Sequence, residues 1–459
     1  MPIVAVDDTD SRERGMCTTY VATRIAERLA DGGARVRRRL LVRLNPAVKH
    51  KTRGNAAIAL HVSGVDAEAA AETAVKTVEE FAETADPRTA PGVVVADRAV
   101  DGDPFAPTGS PIPEAAAAFA GRALRERLTV EEAVAVADAC GFYHAAVGSA
   151  GGSGDGGVAG RGRIGALAAV GAPAAFDDWT VERIAYRELD RCGTQRAVDA
   201  ESVFAAADEA YPTVWDTVDR ETGDAVCVPN APGPILYGIR GDDAEACREV
   251  AAAIDGERVD RAATFLTNQG TDAHLASGQI GDLRDGAGYR VAGVVAGAPE
   301  TRRGGHVHVA IARDGPTDDG SADNNPTLRA VAFAPTGRFR DRVRALRPGD
   351  RVTLCGEHEV RTRDGRESTL KLEKLAARDL VRTTAAVPTC PDCGRSMSSA
   401  GRGQGYRCRD CGTTAPGKTE RDLDREIGVG WYEVPPSARR HVAKPLIRGG
   451  FDAPTHPER

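Results

Sequence analysis

Val4-Ala5-Val6-Asp7-Asp8-Thr9-Asp10, followed by Gly15-Met16-Cys17-Thr18-Thr19, opens the chain and decides how its first half is read. The apolar run predicts a short buried strand, and three carboxylates follow it within four residues. Like charges packed that closely repel, and burying them costs several kcal/mol unless a cation compensates. A hard divalent cation with oxygen ligands is the usual compensation, and Mg²⁺ commonly carries phosphates with it. Gly15 and the hydroxyls of Thr18 and Thr19 stand at the start of an amphipathic helix predicted over about 17–29. Such a terminus offers N–H groups and a positive dipole end to phosphates. The alternative is a solvated acidic turn with Thr18 as an ordinary N-cap.

Length and composition bound the rest. A chain of 459 residues holds two to four domains and can bury a sizeable core. Only seven of its 60 basic side chains are lysine, an arginine bias that with abundant Ala and Gly points to a GC-rich coding source. The net charge of −7 argues weakly against a nucleic-acid role, although local charge decides such binding. No run of eighteen apolar residues exists to span a membrane, and the N-terminus is a strand with acids rather than a signal peptide. Ten cysteines, four of them in paired CxxC units, suit a reducing cytoplasm and a metal site better than a disulfide framework.

Four regions follow, making an α+β multidomain chain. Residues 2–98 read as strand (2–6), helix (17–29), strand (36–44), strand (55–62), helix (66–81) and strand (93–96), the βαββαβ order of a ferredoxin-like split unit. Helices are predicted near 113–127 and 129–139. Gly148 to Gly162 reads as a loop running into Gly160-Arg161-Gly162-Arg163-Ile164-Gly165, a glycine set able to approach phosphates. A second α+β unit over 129–283 is predicted to hold a helix at 181–189, a strand at 225–228, a helix at 242–254 and a strand at 261–266. From Tyr289 the hydrophobic period becomes two. Short strands are expected at 289–295, 306–311, 329–333, 351–355 and 369–375, with a helix at 339–346 between the third and fourth, the pattern of an OB-fold barrel.

Cys390-Pro-Asp-Cys393 and Cys408-Arg-Asp-Cys411, fourteen residues apart, predict two knuckles closing a Cys₄ zinc ribbon. All four zinc positions belong to the protein, so the metal is structural. Arg395, Arg402, Arg407, Arg409 and Tyr406 on that ribbon suit RNA backbone contact, with plainly solvated arginines as the alternative. Arg43, Lys49, His50, Lys51 and Arg53 cluster on one loop that would cradle polyphosphate opposite Asp7, Asp8 and Asp10. The stretch 437–444 is similarly basic and follows Glu433-Val434-Pro435-Pro436, with a disordered basic tail as the alternative. Asp272 could satisfy backbone N–H groups after the strand predicted at 261–266.

Several stretches together resemble a known family. They include Val6–Ser11, Gly15–Tyr20, Arg43–Pro46, Lys51–Asn55, Ile164–Ala172, Pro234–Gly241, Thr267-Asn268, Thr271–Leu275, Ser399–Cys408 and Tyr432–Lys444. In this order they are similar to the archaeal isoleucine-tRNA 2-agmatinylcytidine synthetases. The Arg12–Arg14 spacing, the glycine-rich 148–159 and the acidic 314–323 depart from the pattern. The resemblance implies an ATP-dependent ligase that joins agmatine to C2 of the wobble cytidine in the CAU anticodon of an isoleucine tRNA, so that AUA is read as isoleucine. It implies a kinase-like domain (1–128), a ferredoxin-like domain (129–283), an OB-fold (284–385) and a zinc ribbon with a basic tail (386–459). Asp7, Asp8 and Asp10 would then hold Mg²⁺, and Thr18 would match the family's autophosphorylated threonine. Gly15, Thr19, Lys51, Arg53, Gly54 and Asn55 are the nucleotide-binding candidates, and Asp216 and Asp272 the agmatine-binding ones. No obligate protein partner is evident. The competing classes are a passive OB-fold and zinc-ribbon RNA binder, and an ATP-dependent small-molecule kinase.

Overall fold

The computed structural model describes residues 1–49, 54–97, 112–148, 159–315, 326–361 and 367–459. The first half follows the expected order: β1 (Pro2–Asp7), α1 (Thr18–Asp31), β2 (Arg35–Arg43), β3 (Ala56–Ser63), α2 (Ala67–Phe81) and β4 (Gly92–Asp97). β1 lies between β4 and β3, antiparallel to both, and is apolar on both faces. Ile3 and Ala5 pack among α3 (Glu114–Ala123), α4 (Val130–Ala139) and, beyond the short strand β5 (Tyr143–Ala146), α5 (Gly162–Gly171). Val4 and Val6 face α1 and α2. Two covered faces explain the unbroken apolar run before Asp7.

The second unit comprises β6 (Thr180–Tyr186), α6 (Ala200–Ala210), β7 (Val214–Trp215), β8 (Ile235–Gly241), α7 (Ala244–Ala253) and β9 (Arg261–Thr267). Its strand order, β9-β6-β8-β7, repeats the β4-β1-β3-β2 order of the first. Two predictions fail here. The helix expected over 181–189 is strand β6, because Thr, Val, Ile and Tyr side chains are seated between β8 and β9 and sheet packing outweighs local helical pattern. The strand expected at 225–228 is an irregular turn, tied by the Cys227 N–H to Thr217 O and by the Gly238 N–H to Cys227 O. The two units share one nine-stranded sheet, joined where β2 runs parallel to β9 through Leu40↔Leu266 and Leu41↔Thr267. A cut at residue 128 therefore separates segments that pack together: β5 pairs with β4, and α5 lies on β1 and β4.

Beyond β10 (Leu275–Gly278), a barrel is built from β11 (Ala287–Val295), β13 (Val307–Ala312), β14 (Thr327–Ala332), β15 (Arg351–Arg361) and β16 (Glu367–Asp379), with the two-residue β12 (Glu300–Thr301) attached to β13. The pairings β11-β13-β14-β16-β15-β11 close the ring, and β14 and β16 run parallel. The helix Phe339–Arg344 lies between the third and fourth strands, as expected, with Phe339 and Val343 buried in the barrel core.

The C-terminal stretch is ordered, against the disordered-tail alternative. Strand Gly430–Glu433 pairs with β16, and Trp431 is 1% exposed. The tail then crosses back to the sheet: Ser437 Oγ donates to Asp219 Oδ2 at 2.7 Å, and Arg448 donates to Asp242 Oδ1 at 2.7 Å. Two of its basic residues, Arg439 and Arg440, are consumed internally by Asp216, Glu433, Glu357 and Glu373 rather than offered to RNA.

Candidate active site

A cavity of about 690 Å³ opens where the two halves of the sheet meet, large enough for a nucleotide-sized ligand. Its walls bring together Asp7, Asp8, Asp10, Gly15, Thr18, Thr19, Gly54 and Asn55. Lys51 and Arg53 lie outside the described residues. Lys49 and Arg43, from the same basic stretch, line the same cavity as the aspartates.

The aspartate end is strained and half-buried. Asp8 has φ 60, a left-handed conformation that a non-glycine residue adopts rarely and that tertiary structure must enforce. Its N–H donates to Asp7 Oδ1 at 2.7 Å. Burial, reinforced by the neighbouring Asp8 charge, holds the Asp7 carboxyl well above the usual carboxylate range. Burial also raises Asp8, partly offset by the Arg161 guanidinium. A divalent cation would relieve this electrostatic load on Asp7 and Asp8, although Asp7, Asp8 and Asp10 are not gathered here into a ready metal-ligand group, the ribbon cysteines being the one such group of three or more among the described residues.

Helix α1 starts beside them. Gly15 (φ 98) turns the chain tightly against Pro232 and Gly233, where a Cβ would meet Pro232 O at 3.0 Å. Cys17 is the N-cap but no side chain caps the helix. Thr18 is 5% exposed, and its Oγ1 accepts from Thr9 Oγ1 at 3.1 Å. α5 approaches from the other face. At Gly162 an added Cβ would lie 2.4 Å from Asp7 O, and at Gly165 1.9 Å from Asp7 Oδ2. The predicted glycine set thus lets a helix, rather than a loop, reach the aspartates.

The structure adds residues that the sequence reading missed. Glu182 is 3% exposed and lines the cavity. It takes Gln269 Nε2 at 2.5 Å and Arg240 Nε at 3.3 Å, and pairs with Arg43 at 3.5 Å. As part of a helix, Glu182 would be one more outward charge. On a strand it shares the cavity face with Ile184, while Val181 and Ala185 face the α6–α7 layer. Arg161, Arg196, Arg240 and Cys227, and the tail residues Ser437, Arg439 and His441, complete the walls.

Asp216 and Asp272 are not among these walls. Asp216 pairs with Arg439 at 3.0 Å, and Asp272 takes Lys374 Nζ and the Lys444 N–H, both at 2.6 Å. Both adopt left-handed φ values, 55 and 62, at partly buried positions. Each carboxylate is already engaged by the protein's own cation, and Asp272, which accepts the Lys444 N–H, also makes a backbone contact of the kind the capping alternative expects.

In the ribbon, the Cys390, Cys393, Cys408 and Cys411 sulfurs all lie within 4.8 Å of one another, the one such four-residue group found among the described residues. Cys390–Cys411 at 3.3 Å and Cys393–Cys411 at 3.8 Å bracket the edge of roughly 3.8 Å that tetrahedral Zn–S bonds of about 2.3 Å require. No helix among the described residues is long and apolar enough to cross a membrane.

Three family models match: the TiaS TCKD domain over residues 3–149, the TiaS FLD domain over 160–274 and the TiaS C-terminal zinc ribbon domain over 387–427. The chain is 51% identical, over all of both chains, to an isoleucine-tRNA 2-agmatinylcytidine synthetase TiaS from Haloquadratum walsbyi. Its fold is similar to the crystal structure of a TiaS in complex with its isoleucine tRNA and ATP, with TM-score 0.82 and 37% identity, over 100% of this chain and 99% of that one. It is equally similar to a TiaS complex with the same tRNA, AMPCPP and agmatine, with TM-score 0.81 and 35% identity over the same shares. By full-length identity and shared architecture, this chain belongs to the TiaS family of isoleucine-tRNA 2-agmatinylcytidine synthetases.

Proposed function

We propose that this chain joins agmatine to C2 of the wobble cytidine in the CAU anticodon of isoleucine tRNA, at the expense of ATP. The supporting observation is the meeting in one cavity of Asp7, Asp8 and Asp10, Thr18 at an uncapped helix start, and the Arg43–Lys49 edge. In relatives, complexes with the isoleucine tRNA, ATP and agmatine support the same substrates.

The chemistry asks for activation first. The C2 carbonyl oxygen of cytosine is a poor leaving group, and phosphorylation makes it a good one. ATP yields AMP as one phosphoryl group passes to the C2 oxygen and the other leaves to water as inorganic phosphate, with Thr18 Oγ1 as the hydroxyl that can carry a phosphoryl group in between. The primary amine of agmatine then attacks C2: the C–N bond forms, the C–O bond breaks, the oxygen departs with phosphate, and the amine loses a proton. Phosphoryl transfer needs mainly alignment and charge neutralisation. Asp7, Asp8 and Asp10 would hold Mg²⁺, which supplies neutralisation of the triphosphate when bound. Gly15 and Thr19 place backbone and hydroxyl groups beside the phosphates. Gly54 and Asn55 line the same cavity as the aspartates, and Lys51 and Arg53, outside the described residues, are assigned to the triphosphate by their charge.

The finer architecture is part of the proposal. The first half of the sheet with α3 and α4 acts as the kinase-like domain, and the unit running from α5 through the β9-β6-β8-β7 strands is ferredoxin-like. The closed five-stranded barrel is an OB-fold. The exposed ribbon arginines Arg402, Arg407 and Arg409 contact the tRNA backbone. Zn²⁺ on the four cysteines is structural. The test is incubation with ATP, agmatine and an unmodified CAU-anticodon tRNA transcript, followed by mass spectrometry of the wobble nucleoside. Agmatine incorporation with AMP release is expected. AMP formed without RNA would favour a small-molecule kinase instead, and no ATP turnover would favour a passive RNA binder.

A further inference from the structure

Arg161 occupies a position that neither the motif reading nor the reaction above accounts for. It precedes α5 and reaches back to the end of β1. Its Nη2 donates to Asp8 Oδ2 at 2.6 Å and to Arg88 O at 2.6 Å. The pair is largely buried, with side chains 18% and 13% exposed, and both residues line the main cavity. The backbone holds it there: Gly162 and Gly165 press α5 against Asp7 so closely that neither tolerates a Cβ without something shifting. The guanidinium therefore supplies positive charge at the place where Asp7 and Asp8 need a cation.

A divalent ion and a triphosphate entering this site weaken that arrangement. A second cation on the Asp8 carboxylate repels the guanidinium at so short a distance. The phosphates offer it an equivalent partner, because the guanidinium fork matches phosphate as well as carboxylate oxygens.

We propose that Arg161 is a phosphate-binding residue that exchanges partners. It neutralises Asp8 while the cavity holds no nucleotide, and it grips the terminal phosphate oxygens of the nucleoside triphosphate once Asp8 is engaged by a divalent cation. This rests on the ATP-dependent reading given above. The exchange keeps the aspartate end near neutral in both states, and it places a fixed donor on the group being transferred.

The test uses full-length protein carrying Arg161→Met or Arg161→Lys, with the fold checked by circular dichroism. Mg²⁺ affinity is measured calorimetrically without nucleotide, and ATP affinity at saturating Mg²⁺. Arg161→Met should bind Mg²⁺ alone more tightly, since its competitor is gone. It should bind ATP more weakly, on the order of tenfold to a hundredfold, the usual worth of a charge-assisted hydrogen bond. Arg161→Lys should lie between Met and wild type on both measures. Opposite signs distinguish the exchange from a structural role, which would weaken both. Affinities that move together, or stay unchanged, overturn the exchange alone. A wild-type protein that binds no ATP overturns the underlying reading and the exchange with it.

Discussion

Replacing Arg439 with methionine should loosen the C-terminal segment from the cavity wall, by an amount that depends on pH. Arg439 is 3% exposed and lies between two carboxylates: Nη1 is 3.0 Å from Asp216 Oδ1, and Nη2 is 3.0 Å from Glu433 Oε1. These are 7% and 1% exposed, so no solvent takes over when the cation is removed. Breaking a buried pair from one side typically costs about 3–5 kcal/mol, and here two carboxylates lose the same partner. That is a large share of the roughly 5–15 kcal/mol by which domains are stable.

The pH dependence follows from the carboxyls. Burial already raises Asp216 and Glu433 above their ordinary values, and Arg439 is the largest influence lowering each. In the variant both rise further. An acid with a raised folded pKa favours the folded state below its unfolded pKa of about 4, and that advantage is lost as pH climbs through the folded value. The deficit of Arg439→Met should therefore be smaller near pH 5 than near pH 8. Trp215 and Trp431, both buried, sit close to Asp216 and Glu433 in the chain. Urea unfolding followed by tryptophan fluorescence thus reads this region directly. Adding Asp216→Asn to the variant should recover part of the loss. A deficit under about 1 kcal/mol, or one equal at both pH values, would refute the argument.

Asp8→Asn should abolish AMP formation while leaving tRNA affinity intact in filter binding; retained turnover would remove Asp8 from the metal assignment. Gly165→Ala sets helix propensity, worth up to about 1 kcal/mol, against overpacking of about 1–3 kcal/mol. It should therefore fold, while the displaced Asp7 lowers kcat by about a hundredfold, as misplacement by ~1 Å can. A kcat near wild type would show that Asp7 need not stay where α5 holds it. Cys408→Ser should lose zinc and the ribbon's order together. Unchanged zinc content by atomic absorption would contradict the four-thiolate site.

Much of the site was legible because its chemistry is local. Asp7 to Asp10, Gly15 and Thr18 are neighbours in sequence, and so are the CxxC pairs; spacing alone puts the acids beside a helix start in one cavity and brings the four thiols within reach of one ion. The barrel strands were legible too, since one face packs inward and the period of two survives in the sequence. Glu182 was hidden by a stretch whose polar and apolar order suits a helix, and only its place between β8 and β9 makes it a strand. Asp216 and Asp272 looked like open carboxylates because their cations, Arg439 and Lys374, lie 223 and 102 positions away.

By itself the sequence determined the strand-then-acids start, the helix beginning at Thr18, the zinc knuckles and the family. The tertiary structure alone decided that the two α+β units form one sheet, that α5 rather than a loop closes on Asp7, and that the basic tail is a wall of the cavity. The division has a physical cause. Periodicity and short spacing record what a residue does with neighbours a few positions away, whereas charge compensation and close backbone approach depend on partners brought together only by folding.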